Sequence, residues 1–193
     1  MMPASEKEYL IDFDSEKCTQ CHGCEIACKA WRELRYGVQY RRVLNLWQGE
    51  YPSVKNASLS LACLHCVEPA CAAACPEDAI SKSEKDGLVV VDETICNGCG
   101  ICADACAFEV PQFGENGIMQ KCDLCRDQQL AQAALPCVDT CPGKALSVIE
   151  VSQSEKMVHE ETVYLKISTN CIDFRISARE PGQSDVGYIH RVN

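Results

Sequence analysis

The sequence of 193 residues predicts an α+β fold of short β-hairpins and short helices, organised as two similar units with one inserted within the other. Three observations carry that expectation. Cysteines recur in four tight runs spread over most of the chain. A β-prone stretch stands directly before or after each run, with turn formers between, which is the pattern of short hairpins. The chain also has 17 cysteines but only two Trp, six Tyr and four Phe. A core so poor in large apolar side chains is small, and something besides it must help hold the fold together.

The first run is Cys18-x2-Cys21-x2-Cys24-x3-Cys28, preceded by a strand over Glu8–Asp14 and a loose leader at Met1–Ser5. Helix formers without a breaker follow Cys24, so Cys28 is expected on a short helix over Glu25–Trp31. Trp31 to Ala62 reads as a linking segment holding Trp31, Trp47, Tyr36, Tyr40 and the pair Arg41 and Arg42. These aromatics either patch the small core or, with the arginines, form a docking surface. The second run is Cys63-x2-Cys66-x4-Cys71-x3-Cys75, with Pro76 after it. Asp78–Lys82, a turn at Lys85–Gly87 and Leu88–Asp92 form a hairpin leading into the third run, Cys96-x2-Cys99-x2-Cys102-x3-Cys106.

Loops follow at Pro111–Gly114 and around Asn116 and Gly117. The fourth run is Cys122-x2-Cys125, an insert of eleven residues, then Cys137-x3-Cys141 and Pro142. The insert is rich in Gln, Ala and Leu, so a helix is expected over Asp127–Leu135. A strand over Lys144–Val151 comes next, then a β-prone run at Thr162–Ile167 and a loop at Arg179–Asp185.

This spacing suits metal clusters better than disulfides. The cysteine count is odd, Met1–Lys17 has no basic-then-apolar leader, and thiols two residues apart converge on a metal more readily than on distant partners. Zinc also takes paired C-x2-C units. It accounts poorly for the third thiol at the next x2 step in the first and third runs, or for proline after the last cysteine of the second and fourth. Four [4Fe–4S] clusters match sixteen of the cysteines, and a plant-type [2Fe–2S] site would need a different order.

Strand, cysteine run and short helix, repeated with pseudo-symmetry, is the layout of a two-cluster bacterial ferredoxin. In such proteins the fourth cysteine of each run serves the other cluster. Cys18, Cys21, Cys24 and Cys141 then share one cluster, and Cys122, Cys125, Cys137 and Cys28 another. Cys63, Cys66, Cys71 and Cys106 share a third, and Cys96, Cys99, Cys102 and Cys75 a fourth. The outer unit spans 1–58 and 115–155, the inner unit 59–114, and 156–193 is a C-terminal extension.

Clusters with every iron held by cysteine leave no open position for a substrate, so conduction of electrons rather than catalysis is expected. Potentials are set by burial, local charge and hydrogen bonds to sulfur. Lys17, Lys29, Lys121, Arg126 and Lys144 stand beside the runs and either raise potentials or are plain solvated charges. His65 lies between Cys63 and Cys66, which already supply that turn, so a hydrogen-bonding role is expected for it. His22, His159 and His190 form no cluster, and Cys171 reads as a free or buried structural thiol. The formal charge of −10 excludes nucleic-acid binding through a basic face. No stretch approaches the roughly 18 apolar residues of a membrane span.

These runs, in this order and with the insert in the fourth, resemble the four-cluster electron-transfer subunits of the dimethyl-sulfoxide-reductase family. That family has similar subunits in polysulfide, thiosulfate, tetrathionate and arsenate reductases and some formate dehydrogenases. The resemblance covers Tyr9 to Val151, including Glu68–Cys71, Gly87–Asp92, Pro111–Phe113 and Lys121–Cys125, with Gly187–Ile189 near the end. It departs at Ala107, where many relatives have proline, which bears on the local turn and on the cluster using Cys106. The resemblance implies a catalytic partner with a molybdenum or tungsten bis-pterin centre, and often a membrane quinone-linked subunit. The lack of a leader in the sequence favours the cytoplasm, while the resemblance leaves the periplasm open if the chain is exported bound to a signal-bearing partner. Two other readings stay open: a polyferredoxin subunit of a tungsten aldehyde oxidoreductase or a hydrogenase, and a metal-stabilised interaction module without redox function.

Overall fold

The computed structural model of the chain describes residues 8–48, 50–127 and 134–170. Among them, eight strands form four separate antiparallel pairs. β1 (Glu8–Phe13) pairs with β8 (Leu146–Val151), bringing Leu10 opposite Ile149 and Phe13 opposite Leu146. β4 (Ile80–Lys82) pairs with β5 (Val89–Val91). β6 (Gln112–Phe113) and β7 (Met119–Gln120) make a small hairpin where only loops were expected. β8 starts two residues later than expected because the chain is still turning at Lys144, which holds φ 52.

The largest pair was not anticipated. β2 (Arg41–Gln48) and β3 (Lys55–Ala62) form an eight-residue hairpin in the segment read as a linker. Side chains directly opposite each other share a face. Arg41, Val43, Ser60 and Ala62 therefore look one way, and Leu44, Leu46, Leu59 and Leu61 the other. Both faces are covered. Val43 packs with Cys24, Leu88, Leu124, Cys125, Leu135, Cys137 and Leu146. Leu46, Leu59 and Leu61 pack with Phe108, Val110 and Val163, against Cys63, Cys66 and Cys106. Burying each such leucine contributes about 1.5–3 kcal/mol. A third small cluster joins Ile80, Val89, Cys102 and Met119. Each of these cores contains cysteine or packs against it, as a fold stapled by metal requires.

Short helices carry the cysteine runs. α1 (Gly23–Trp31) holds Cys24 and Cys28, α2 (Ala70–Ala73) holds Cys71, α3 (Ile101–Ala105) holds Cys102 and α4 (Pro136–Asp139) holds Cys137. α1 packs on α4, and α2 on α3. Of the helix expected over the insert, Arg126 and Asp127 are helical and residues 128–133 lie outside the described part.

The expectation of a β-prone run at Thr162–Ile167 is overturned, because α5 (Gln153–Asn170) runs through it. Its start is a capping box. Glu155 N–H donates to Ser152 Oγ at 3.3 Å, and Glu155 Oε2 accepts from Ser152 N–H at 2.9 Å. Tertiary contacts then hold the helix. Lys156, fully buried, bonds Glu8 of β1 at 2.8 Å, and Val163 joins the leucine face of the β2–β3 hairpin. Among the described residues no helix is long and apolar enough to cross a membrane. Cys171, the loop at Arg179–Asp185 and Gly187–Ile189 lie outside the described residues.

Candidate iron–sulfur cluster sites

One backbone device recurs in all four cysteine runs. The residue just before the second cysteine is left-handed in each: Gln20 (φ 56), His65 (φ 52), Gly98 (φ 73) and Leu124 (φ 57). A left-handed residue in a tight turn points successive N–H groups into one concavity, the kind that holds anions and iron–sulfur groups. Gln20 N–H donates to Cys18 Sγ and His65 N–H to Cys63 Sγ, both at 3.4 Å. Only the third run uses glycine here. A Cβ on Gly98 would stand 2.3 Å from the Gly117 carbonyl oxygen, so the close approach requires it. The other three accept a conformation that costs a non-glycine residue about 1–2 kcal/mol.

The fourth cysteines share a second device. Asp78, Glu109 and Lys144 are left-handed (φ 52, 50 and 52), and their N–H groups donate to the carbonyls of Cys75, Cys106 and Cys141 at 3.4, 3.1 and 3.1 Å. Ala107, in place of proline, therefore leaves the turn after Cys106 like its counterparts. Cys28 departs from the pattern, because it lies inside α1.

The grouping of thiols follows from these turns. Cys75, Cys96, Cys99 and Cys102 line one small pocket with Ile80, Phe113 and Met119. Cys63, Cys66 and Cys106 pack against the leucine face of the β2–β3 hairpin. Burial pushes the Cys66 thiol up to about 12, helped by Glu160 and then by Cys63, Cys106 and Cys71. On the opposite face, burial pushes Cys28 up to about 11, and the neighbouring Cys137 and Cys125 add to it. Cys141 is placed by backbone contact. A Cβ on Gly143 would meet the Lys17 carbonyl at 2.1 Å, and one on Gly23 would lie 3.9 Å from Thr140 Cγ2. The turn of Cys141 thus lies against the loop of Cys18, Cys21 and Cys24.

The groups also adjoin one another in sequence. Burial lifts Cys102 to about 11, and the first charge adding to it is that of Cys71. Burial lifts Cys122 to about 12, with Arg41 opposing and Cys63 adding. Burial and then Glu25 raise Cys24, and Cys137 adds to them. Thiols of the third run thus lie near the second, those of the second near the fourth, and those of the fourth near the first. Cys21 and Cys99 are exposed, whereas Cys24, Cys28, Cys102, Cys122, Cys125 and Cys137 are buried.

All sixteen described cysteines are free thiols. Buried thiols whose pKa values rise need a compensating cation before they deprotonate, and a metal cluster supplies it. Among the described residues no three His, Cys, Asp or Glu side chains converge as one metal ion requires. Cys75, Cys96, Cys99 and Cys102 instead line a shared space, which suits a cluster in which each thiolate holds a different iron.

The charged residues divide differently from expectation. Lys17 is exposed beside Asp14, Lys29 donates to the Val38 carbonyl at 2.9 Å, and Arg126 pairs with Asp86 at 2.7 Å. Lys121 is buried and donates to the carbonyls of Val89 and Cys122. The arginine pair is tied into the fold. Arg42 donates to the carbonyls of Phe108 and Glu109 at 2.9 and 3.2 Å, and Arg41 is 2% exposed. The aromatics do not fill the core, since Trp31, Tyr36 and Trp47 are exposed. His65 is buried, accepts the Val89 N–H on Nδ1 at 3.0 Å, and is held well below its ordinary pKa by burial and then by Lys121. It is a neutral strut between the second run and β5, as its place between two ligand-type cysteines suggested.

Residues 54–151 match the family model described as a 4Fe-4S dicluster domain. The chain is 40% identical over 159 residues to a subunit of the anaerobic dimethyl sulfoxide reductase of Escherichia coli, covering 77% of each. It is 37% identical to the formate dehydrogenase iron-sulfur subunit of Wolinella succinogenes, covering 69% of this chain and 76% of that one. It is 31% identical to a thiosulfate reductase electron transfer subunit of Salmonella typhi, covering 81% and 84%. With cysteine turns built for clusters and relatives of this length and identity, the chain belongs to the 4Fe-4S dicluster family of iron–sulfur electron-transfer subunits of oxidoreductases.

Proposed function

We propose that this chain carries electrons through four [4Fe–4S] clusters, as the non-catalytic subunit of a complex whose catalytic partner holds a molybdenum or tungsten bis-pterin centre. A [4Fe–4S] cluster held by four cysteines accepts and returns one electron. The protein holds, spaces and shields such groups. The ligand sets are Cys18, Cys21, Cys24 and Cys141; Cys122, Cys125, Cys137 and Cys28; Cys63, Cys66, Cys71 and Cys106; and Cys96, Cys99, Cys102 and Cys75. Two ferredoxin-like units follow from them. The inner unit spans 59–114 around the β4–β5 pair, and the outer unit spans 1–58 and 115–155 around the β1–β8 pair, with 156–193 as an extension.

The observation that carries this reading is the cavity shared by Cys75 with Cys96, Cys99 and Cys102. A cysteine of the second run meeting the thiols of the third is the crossed ligation of a two-cluster protein. The line of adjoining groups then makes a path, with exposed Cys99 and Cys21 as the points of electron entry and exit. The relatives' names, which include dimethyl sulfoxide reductase, formate dehydrogenase and thiosulfate reductase, support a partner of the same reductase class. Native co-purification under anaerobic conditions tests the reading. About sixteen irons and as many labile sulfides per chain, with molybdenum or tungsten in a bound partner, are expected. Zinc with little iron overturns it.

A further inference from the structure

Arg41 occupies a position that the fold alone does not account for. It is 2% exposed, and its Nη1 donates to Ser60 Oγ at 3.0 Å. Its Nη2 is buried without a hydrogen-bond partner among the described residues. Buried guanidinium groups are ordinarily matched to carboxylates, because an unmatched buried charge is strongly unfavourable. The neighbours here are thiols. Ser60 Oγ, the acceptor from Arg41, also lies 3.7 Å from Cys24 Sγ. Val43, two residues along the same face of β2, packs with Cys24, Cys125 and Cys137. The charges that act on the guanidinium, once burial is set aside, are those of Cys137, Cys122, Cys24 and Cys28. Arg41 thus stands between thiols of the first run and thiols of the fourth.

We infer that Arg41 is the counter-cation of the two clusters held by the first and fourth runs, with Nη2–H aimed at their sulfur. The inference rests on the ligand sets proposed above. A cubane with four thiolates is anionic, and reduction adds one further negative charge. A fixed guanidinium at its edge stabilises the reduced state more than the oxidised one and so raises the potential. It also makes each partner's burial tolerable, since the charge unmatched in the bare protein is matched in the loaded one. Arg41 is a positioning and tuning residue and ligates no iron.

The test uses the full chain purified anaerobically with its partner, with iron and sulfide counted first. That count judges the cluster assignment separately from the role of Arg41. Spectroscopic redox titration of Arg41→Met is expected to lower the midpoint potentials of two clusters and leave the other two in place. The two that move are those perturbed by Cys24→Ser and Cys137→Ser. Arg41→Lys, which keeps the charge but not the planar fork, is expected to shift the same two less. Unchanged potentials, or an equal shift of all four, overturn the inference. If Arg41→Met loads fewer clusters, protein that keeps Arg41 and is labelled with ¹⁵N-arginine decides. Because Arg32 also bonds Cys125, the measurement is made on Arg32→Met: a nitrogen coupling to a reduced cluster that persists there supports the contact, and its absence overturns it.

Discussion

The two faces of the β2–β3 hairpin present opposite surroundings to chemically identical thiols. One face turns Arg41, Val43 and Ser60 toward the cysteines of the first and fourth runs. The other turns Leu44, Leu46, Leu59 and Leu61 toward Cys63, Cys66 and Cys106. On the polar face the buried cation has no carboxylate bonded to Nη2. On the leucine side fully buried Lys156 and half-buried Lys82 both pair with the Glu8 carboxylate, at 2.8 and 2.7 Å. Glu160 adds a carboxylate there, accepting Val67 N–H at 3.0 Å beside Cys66. A protein with four copies of one cofactor has to tune each through its surroundings, and a single hairpin does this for two regions at once.

The leucine side is closed by α5, so breaking that closure has the largest expected effect. Lys156→Met leaves the buried Glu8 carboxylate with Lys82 as its remaining partner, and costs about 3–5 kcal/mol. Denaturation followed by helix signal and cluster absorbance should show α5 and the Cys66 cluster becoming labile together. Leu61→Ala opens a cavity on the same face and costs about 2–4 kcal/mol, read as a lower denaturation midpoint. Ser60→Ala on the polar face is milder. It removes one acceptor from Arg41 and costs about 1 kcal/mol. Its potential shift should be confined to the first and fourth runs and be smaller than that of Arg41→Met. Equal potential shifts from Leu61→Ala and Ser60→Ala at all clusters would erase the distinction between the faces.

Much of the site was legible in the sequence because spacing encodes it. The four runs, their short helices and the strands of the β1–β8 and β4–β5 pairs all follow from local pattern. What escaped depends on contacts made across the chain. The alternation Ser58, Leu59, Ser60, Leu61 is a clear two-residue period inside a segment that, holding no cysteine, reads as a linker; its polar members turn out to be buried as well. Arg41 reads as part of a docking surface because the thiols around it come from runs on either side, as far away as Cys137. At α5, β-branched Thr162, Val163 and Ile167 suggested a strand. The helix is fixed by the Ser152–Glu155 box upstream and by docking on Glu8, and tertiary contact outweighs propensity of that size. The left-handed residues before each second cysteine left no signal except Gly98, because Gln20, His65 and Leu124 are not residues that announce such a turn.

The central claim is that fourth cysteines cross between runs, and Cys75 tests it most directly. Reduced-state spectra of Cys75→Ala, Cys99→Ala and Cys66→Ala should be compared in the purified complex. Cys75→Ala and Cys99→Ala are expected to perturb the same cluster while the one changed by Cys66→Ala stays intact. If Cys75→Ala instead reproduced the spectrum of Cys66→Ala, the second run would hold its own cluster and the crossed arrangement would be wrong.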